Sequence, residues 1–334
     1  MPKILVIRFS SIGDIVLASP VLRCLTQIAD AEIHFVSKLK FKMITASNPY
    51  VNKFHYFNDD LPELMQQLKE EKFDYVVDLQ NNYRSIKIKK SLNVKSYTID
   101  KQNLKKFFLT EFSIGKNPVK HITTRSLETI IPLGAKDDGK GLDYFIPEED
   151  VVPINDIPSS HHAGFIAIVI GATYTCKKLP VYKLIELCKK LNHPIILIGG
   201  ESDIKESEEI TETDPVKIYN ACGKFNLNES ADLIRKSKLV VSHDTGFQYV
   251  ACALQKTVIA IWGCTSPRLG FEPYYGTSNF ENKHENIFLD LHCQPCSKGT
   301  NKCPLGHFNC MNKLKIENII SRIYARLNKV SLPS

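Results

Sequence analysis

Two hydrophobic rhythms alternate along the first hundred residues. Residues 3–9 are nearly continuous in Ile, Leu and Val, as in a parallel strand covered on both faces. Residues 12–27 instead repeat their apolar positions every three or four residues, which predicts a helix. Shorter strands are predicted at 33–36, 54–57, 75–79 and 96–99, with helices at 61–71, 82–92 and 104–112 between them. From about Gly134 to Gly164 the rhythm lapses, and Pro147, Pro153, Pro158 and the run Ser159-Ser160-His161-His162 read as a connection. Alternation then restarts, with strands at 165–170, 195–198, 216–219, 239–242 and 258–262 and helices from Pro180 and over 203–211, 229–236 and 247–254. A last helix over 313–329 places Ile316, Ile319, Ile320, Ile323 and Leu327 on one face. Strands alternating with helices predict an α/β fold of two Rossmann-like halves with parallel sheets, over residues 1–150 and 160–312. In such halves ligands bind in the loops that follow the strands.

Length agrees with this division, since 334 residues suit two domains. With 43% apolar and 24% charged residues the chain can bury a sizeable core, which excludes a disulfide-stapled miniprotein and wholesale disorder. Net charge adds a location. Between Arg84 and Arg125 eleven Lys and Arg face only Asp100 and Glu111, a local balance of +9 in a chain of +7. The segment reads either as a solvated helical face or as a site for a phosphorylated, membrane-borne acceptor, with Phe107, Phe108, Leu109 and Phe112 available to lipid. No nucleic-acid module accompanies the charge, so nucleic acid is not an expected partner. Lys3 and Arg8 flank too short an apolar run for a secretory signal, and no stretch is long enough to cross a bilayer. The expected location is cytoplasmic, with peripheral contact at the inner face of the cytoplasmic membrane.

Four loops carry candidate chemistry. After the first strand, Ser10 or Ser11 can cap the next helix, Gly13 permits close approach, and Asp14 sits in the first helical turn. Asp14 serves that helix end, or acts as a general base if it faces a cleft. The absence of GxGxxG argues against a dinucleotide fingerprint. In the second half, Gly171-Ala172-Thr173-Tyr174-Thr175-Cys176-Lys177 offers amides, hydroxyls and a lysine to phosphate oxygens. Asp244-Thr245-Gly246 caps a helix whose N-terminal amides form another anion site, and Gly263-Cys264-Thr265-Ser266-Pro267 has the same character.

Taken in order, ILVIRFSSIGDIVLASPVLRCL, the Gly-Ala loop ending in Lys177-Lys178-Leu179-Pro180, the Asp244-Thr245-Gly246 turn and Gly263-Cys264-Thr265-Ser266-Pro267 resemble glycosyltransferase family 9, the lipopolysaccharide heptosyltransferases. The resemblance runs over nearly the whole chain. It implies a GT-B architecture of two facing domains, the first binding the acceptor and the second the nucleotide sugar, with the helix over 313–330 packing back on the first. It implies inverting, metal-independent transfer of heptose from ADP-heptose to a phosphorylated inner-core acceptor. By position, Asp14 is the base, and Ser10, Ser11, Gly13, Arg84, His121 and Arg125 face the acceptor. Thr173, Thr175 and Lys177 contact the donor diphosphate, Glu201 the ribose, and Asp244, Thr245 and Gly246 the diphosphate and sugar, with Tyr249 nearby. Two departures bear on the donor sugar: Tyr249 stands where the family usually has His, and Leu179 where it often has Trp. The alternatives are a related transferase using another nucleotide sugar, and a non-catalytic nucleotide-sugar-binding protein.

Cys293, Cys296, Cys303 and Cys310 crowd into 18 residues with spacings of two, six and six. The cluster suits a structural zinc, with His292 and His307 as substitute ligands, or else reduced or redox-paired thiols. The transfer chemistry itself requires no cofactor.

Overall fold

The computed structural model describes residues 1–112, 119–277, 283–296, 299 and 301–330. Lys116 of the basic segment and the side chain of Phe112 lie outside them. The chain forms two compact units. Unit one comprises Met1–Gln102 and Lys120–Phe145, with a brief return at Gly276 and Thr277. Its described elements are β1 (Lys3–Ile7), α1 (Ile12–Val16), α2 (Ser19–Leu25), β2 (Glu32–Lys38), α3 (Lys42–Thr45), β3 (Lys53–Phe57), α4 (Leu61–Glu70), β4 (Tyr75–Asp78), α5 (Tyr83–Leu92) and β5 (Lys95–Thr98). After α6 (Asn103–Phe112), which groups with the second unit, α7 (Ile122–Leu127) completes it.

The five strands are all parallel, in the order β3-β2-β1-β4-β5. Successive side chains of β1 enter opposite cores. Ile4 and Val6 pack with Val21, Leu22 and Leu25 of α2, while Leu5 and Ile7 pack with Leu64 and Leu68 of α4. The single helix expected over 12–27 is instead two. Pro20 lies in the first turn of α2, where its missing N–H costs nothing, but it cannot continue α1. Arg23 of α2 ties the unit together, donating to Asp138 at 2.7 and 2.8 Å and to the Gly141 carbonyl at 2.9 Å. The returning chain needs glycine at 276: φ is +89°, and a Cβ would lie 2.1 Å from the Gly139 carbonyl oxygen.

In unit two, a connection of 3₁₀ turns leads to β6 (Ile166–Val169), α8 (Val181–Lys190), β7 (Ile195–Ile198), α9 (Ile204–Thr211), β8 (Ile218–Asn220), α10 (Leu227–Lys236), β9 (Leu239–His243), α11 (Gly246–Ala253), β10 (Val258–Ile261), β11 (His284–Ile287), α12 (Asn309–Asn312) and α13 (Ile316–Val330). Among the described residues its six parallel strands run β11-β10-β9-β6-β7-β8. β11, whose residues His284-Glu285-Asn286-Ile287 carry little apolar signal, was not predicted.

Two expectations change. The stripe of α13 assigned by resemblance to the first domain is buried in the second unit, where Ile316, Ile319, Ile323 and Leu327 join Leu184 and Leu187 of α8 beneath the sheet. The basic segment does not belong wholly to the first domain either. Leu109 of α6 packs with Val119 and Leu269, and Lys106 Nζ lies 4.5 Å from the centre of the Phe271 ring, so part of the charge is carried by unit two. Ile319→Ala should cost about 2–5 kcal/mol through lost burial and the cavity left behind. Urea unfolding of the full chain would measure it, and a change below about 0.5 kcal/mol would contradict this packing.

Candidate functional site

Each unit gathers its chemistry at the carboxyl edge of its sheet. In unit one, Arg8 leaves the end of β1 almost buried, donating through Nη1 to the Leu79 carbonyl at 2.5 Å and through Nε to the Ser10 carbonyl at 3.0 Å. Its Nη2 reaches Asp14 Oδ1 at 2.6 Å. The other carboxylate oxygen accepts from the Ser11 N–H at 3.1 Å and the Ser11 hydroxyl at 3.0 Å, so Asp14 closes the N-terminus of α1 and remains partly open to solvent. Burial pushes its carboxyl pKa up, but the Arg8 charge and the hydrogen bonds from Ser11 and Arg8 outweigh this and hold it below the ordinary value. The end of β4 braces the same loop: Gln80 accepts from the Phe9 N–H at 2.9 Å.

Ser10, Ser11, Gly13 and Asp14 thus come together. The other acceptor-side residues bond elsewhere. Arg84 makes an exposed pair with Asp59 at 3.1 Å. His121 caps α7, accepting the Thr123 N–H at 3.2 Å. Arg125 is 1% exposed and donates to the carbonyls of Lys120 and Asp100, each at 2.8 Å, leaving Nη2 buried without a partner among the described residues.

In unit two, the loops after β6, β9 and β10 converge. Lys177 Nζ meets Asp244 Oδ2 at 2.6 Å and the Asp244 carbonyl at 3.3 Å. Thr173 is exposed, while Thr175 donates through its N–H and hydroxyl to Asn301 Oδ1 at 3.1 and 3.4 Å. Beneath them His243 accepts the Leu179 N–H at 2.9 Å, and burial lowers its pKa to about 3, which keeps the ring neutral. Thr245 Oγ1 and Thr265 Oγ1 are buried with no hydrogen-bond partner among the described residues. Such groups carry an uncompensated cost that a ligand can relieve. Glu201 is exposed on the turn after β7. Gly246 opens α11. Tyr249 is only 5% exposed and donates its hydroxyl to the Phe271 carbonyl at 2.6 Å, anchoring the segment after β10.

Sequence reasoning missed two features of these loops. Cys176 and Cys264 form a disulfide joining the loops after β6 and β10. The signal was their presence in two motifs that the topology places on either side of β9. The cysteine-rich segment also supports the site directly. Gln294 donates to the carbonyls of Gly263 at 2.5 Å and Thr265 at 3.1 Å, and the Cys296 N–H to the Cys264 carbonyl at 3.0 Å.

Cys293, Cys296, Cys303 and Cys310 are free thiols. Burial and the three neighbouring cysteines push Cys310 up to about 11. Burial also acts upward on Cys303, but the backbone N–H groups of Phe308, Leu305, His307 and Gly306 prevail and lower its pKa. The Cys303 sulfur lies 3.9 Å from His307 Nδ1, and His292 is exposed. Among the described residues, the tight ligand groupings are elsewhere, at His34, His55 and Glu71 and at Cys24, Asp137 and Asp138. The first is satisfied internally: His34 bonds His55 at 2.9 Å, and Glu71 is held by Lys53 and by Lys3 at 3.2 Å.

Removing the Arg8 charge leaves burial as the main influence on Asp14. Arg8→Met should therefore raise the Asp14 pKa, read by carboxyl-carbon NMR titration, and an unmoved titration would refute the control ascribed to Arg8.

The family model for glycosyltransferase family 9 (heptosyltransferase) matches residues 62–307. Lipopolysaccharide heptosyltransferase 1 of Campylobacter coli is 27% identical over 291 residues, covering 79% of this chain and 84% of that protein. Among solved structures, a family 9 glycosyltransferase from Veillonella parvula aligns with a TM-score of 0.79 at 18% identity, covering 98% of both chains. The E. coli heptosyltransferase WaaC with ADP gives 0.68 at 19% identity, covering 97% of this chain and 99% of that one. These likenesses agree with the two parallel sheets in giving a GT-B fold. With a family match over most of its length, joined to the Asp14 and Lys177–Asp244 loops in motif order, the chain belongs to glycosyltransferase family 9.

Proposed function

We propose that this glycosyltransferase moves heptose from ADP-heptose onto a phosphorylated inner-core acceptor of lipopolysaccharide, with inversion. The observation that carries the reading is the loop cluster of unit two, where Lys177, the unpartnered Thr245 and Thr265 hydroxyls and the N-terminus of α11 offer charge and donors to a diphosphate. Thr173, Thr175 and the Gly246 amide complete that set, Asp244 holds Lys177 in place and accepts from the sugar, and Glu201 takes the ribose. The names of the relatives support heptose and lipopolysaccharide as the sugar and acceptor class.

The acceptor hydroxyl attacks the anomeric carbon as its bond to the diphosphate breaks. Asp14 takes the hydroxyl proton, and ADP leaves with its charge on Lys177 and the loop amides. Nothing in this single displacement calls for a metal ion, because the lysine and helix dipole supply the stabilising field. Ser10, Ser11 and Gly13 line the base. Arg84 and His121 are the proposed acceptor contacts, and Arg125, which is buried, is proposed to act by holding the Lys120 and Asp100 carbonyls.

The acceptor is lipid-anchored, so we place the enzyme in the cytoplasm with peripheral contact at a membrane face. α6 supports this by exposing Leu104, Phe107 and Phe108 at 70%, 50% and 44% beside Lys105. A structural zinc on Cys293, Cys296, Cys303 and Cys310 is supported by the amides that surround Cys303, since metal-bound thiolates accept such bonds.

Asp14→Asn should lower kcat by about 10²–10⁴-fold while leaving ADP affinity intact, as expected of a lost general base. Because Asp14 is held below the ordinary carboxylate pKa, it is ionised throughout the neutral range, and the acid limb of kcat/KM should lie below the pH at which an unperturbed aspartate titrates. Full activity in Asp14→Asn would overturn the assignment. Lys177→Ala should instead weaken ADP binding in calorimetry, and unchanged affinity would move the diphosphate elsewhere.

A further inference from the structure

The Cys176–Cys264 bond spans 88 residues of sequence, and the Cα atoms it joins are 5.5 Å apart, within the ordinary range for a disulfide. Backbone contacts hold the pair in place. The Cys264 N–H donates to the Cys176 carbonyl at 3.1 Å, and Gly263 lies so close to that carbonyl that a Cβ would come within 2.1 Å of it. Both cysteines are nearly inaccessible, at 0% and 2% exposure. Cys176 is flanked by Thr175 and Lys177, and Cys264 is followed by Thr265. The bond therefore lies between the groups assigned above to the donor diphosphate. The other eight cysteines are free thiols, so this pair stands apart chemically from the rest.

We propose that Cys176 and Cys264 are a reversible thiol–disulfide site that sets the affinity of the enzyme for its nucleotide sugar. The inference rests on the donor reading above. When oxidised, the pair fastens the loop carrying Thr175 and Lys177 to the loop carrying Thr265, fixing cation and hydroxyl at one spacing. When reduced, the loops are held by hydrogen bonds alone, and donor binding must supply the cost of ordering them. Disulfides in reducing compartments are characteristically transient and redox-sensing.

The chemistry balances with a low-molecular-weight disulfide as oxidant. One cysteine thiolate attacks a sulfur of that disulfide, forming a mixed disulfide and expelling one small thiolate. The second cysteine thiolate then attacks the protein-bound sulfur, closing Cys176–Cys264 and expelling the other. Two electrons pass from the protein to the oxidant, and the two cysteine protons finish on two small thiols. A dithiol reductant reverses each step. Since the pair is buried, exchange requires one loop to lift, and bound nucleotide should slow it.

The test begins with the full chain treated with glutathione disulfide, then denatured and alkylated. Intact mass should show eight labelled cysteines, rising to ten after dithiothreitol, and peptide mapping should link Cys176 to Cys264. Calorimetry with ADP should give affinity on the order of tenfold tighter in the oxidised form, the size expected from modest preorganisation. The double variant Cys176→Ser/Cys264→Ser should bind as weakly as the reduced enzyme whatever the redox conditions. Should that variant fail to fold, the comparison of oxidised with reduced wild type gives the same readout. Ten labelled cysteines after oxidation, or equal ADP affinity in the two states, would overturn the proposal. Loss of ADP binding in both states would instead overturn the donor assignment, and the redox control with it.

Discussion

A parallel sheet buried on both faces has almost nowhere to put polar chemistry. In the central strands of both units the interiors are occupied by Ile, Leu, Val and Ala that serve two cores at once, with Ile4 and Val6 on one side of β1 and Leu5 and Ile7 on the other. There polar side chains are displaced to the strand ends, whereas His34 and His55, inside β2 and β3 toward one edge, are buried by bonding each other. At the carboxyl ends the chain turns into helix N-termini that favour anions and acidic side chains. Asp14, Lys177, Asp244 and Thr265 all occur within a few residues of such an end. Their positions follow from that one constraint before any specific contact is considered.

Opposite charges then fix these residues in place. Arg8 is nearly buried and would be costly without a partner, and Asp14 together with two backbone carbonyls supplies the compensation. The same pairing makes the carboxylate a weaker base than it would be alone, exchanging basicity for a fixed position. In unit two, Lys177 and Asp244 restrain each other, and Lys178 is held by Asp203 at 3.0 Å and by Glu206 at 2.5 Å. Asp203 in turn is crowded by Gly171, where a Cβ would lie 2.4 Å from its Oδ2, and by Gly199, where a Cβ would press on both Cys222 Sγ and Asp203.

Much of this was legible in the sequence, and the failures have physical causes. Apolar periodicity located the strands of both sheets except β11, whose polar residues form an edge strand by pairing with β10 and not by a pattern of their own. The break between α1 and α2 was visible as Pro20 but was overridden by a helical period continuing on both sides of it. The loop motifs pointed to Asp14, Lys177 and Asp244, because helix-end chemistry is local. The fate of Tyr249 was not legible, since its partner is a backbone carbonyl 22 residues away. Nor was the Cys176–Cys264 bond, because pairing depends on which loops neighbour one another and spacing along the chain does not carry that information. The destination of α13 was misassigned for a related reason: its stripe shows that it must be buried, but not against what.

The closed pairs at the donor loops have a kinetic consequence. Lys177 closed on Asp244 presents a dipole to the solvent more than free charge, and Lys178 between Asp203 and Glu206 belongs to a group of formal net charge −1. A dipole's field decays faster with distance than that of an ion, and physiological salt shortens its reach further. An anionic nucleotide sugar would then gain little acceleration from these two lysines as it approaches. On the proposed donor assignment, discrimination falls to the short-range exchange in which the diphosphate competes with Asp244 for Lys177, so that selectivity is expressed in residence time more than in the rate of encounter.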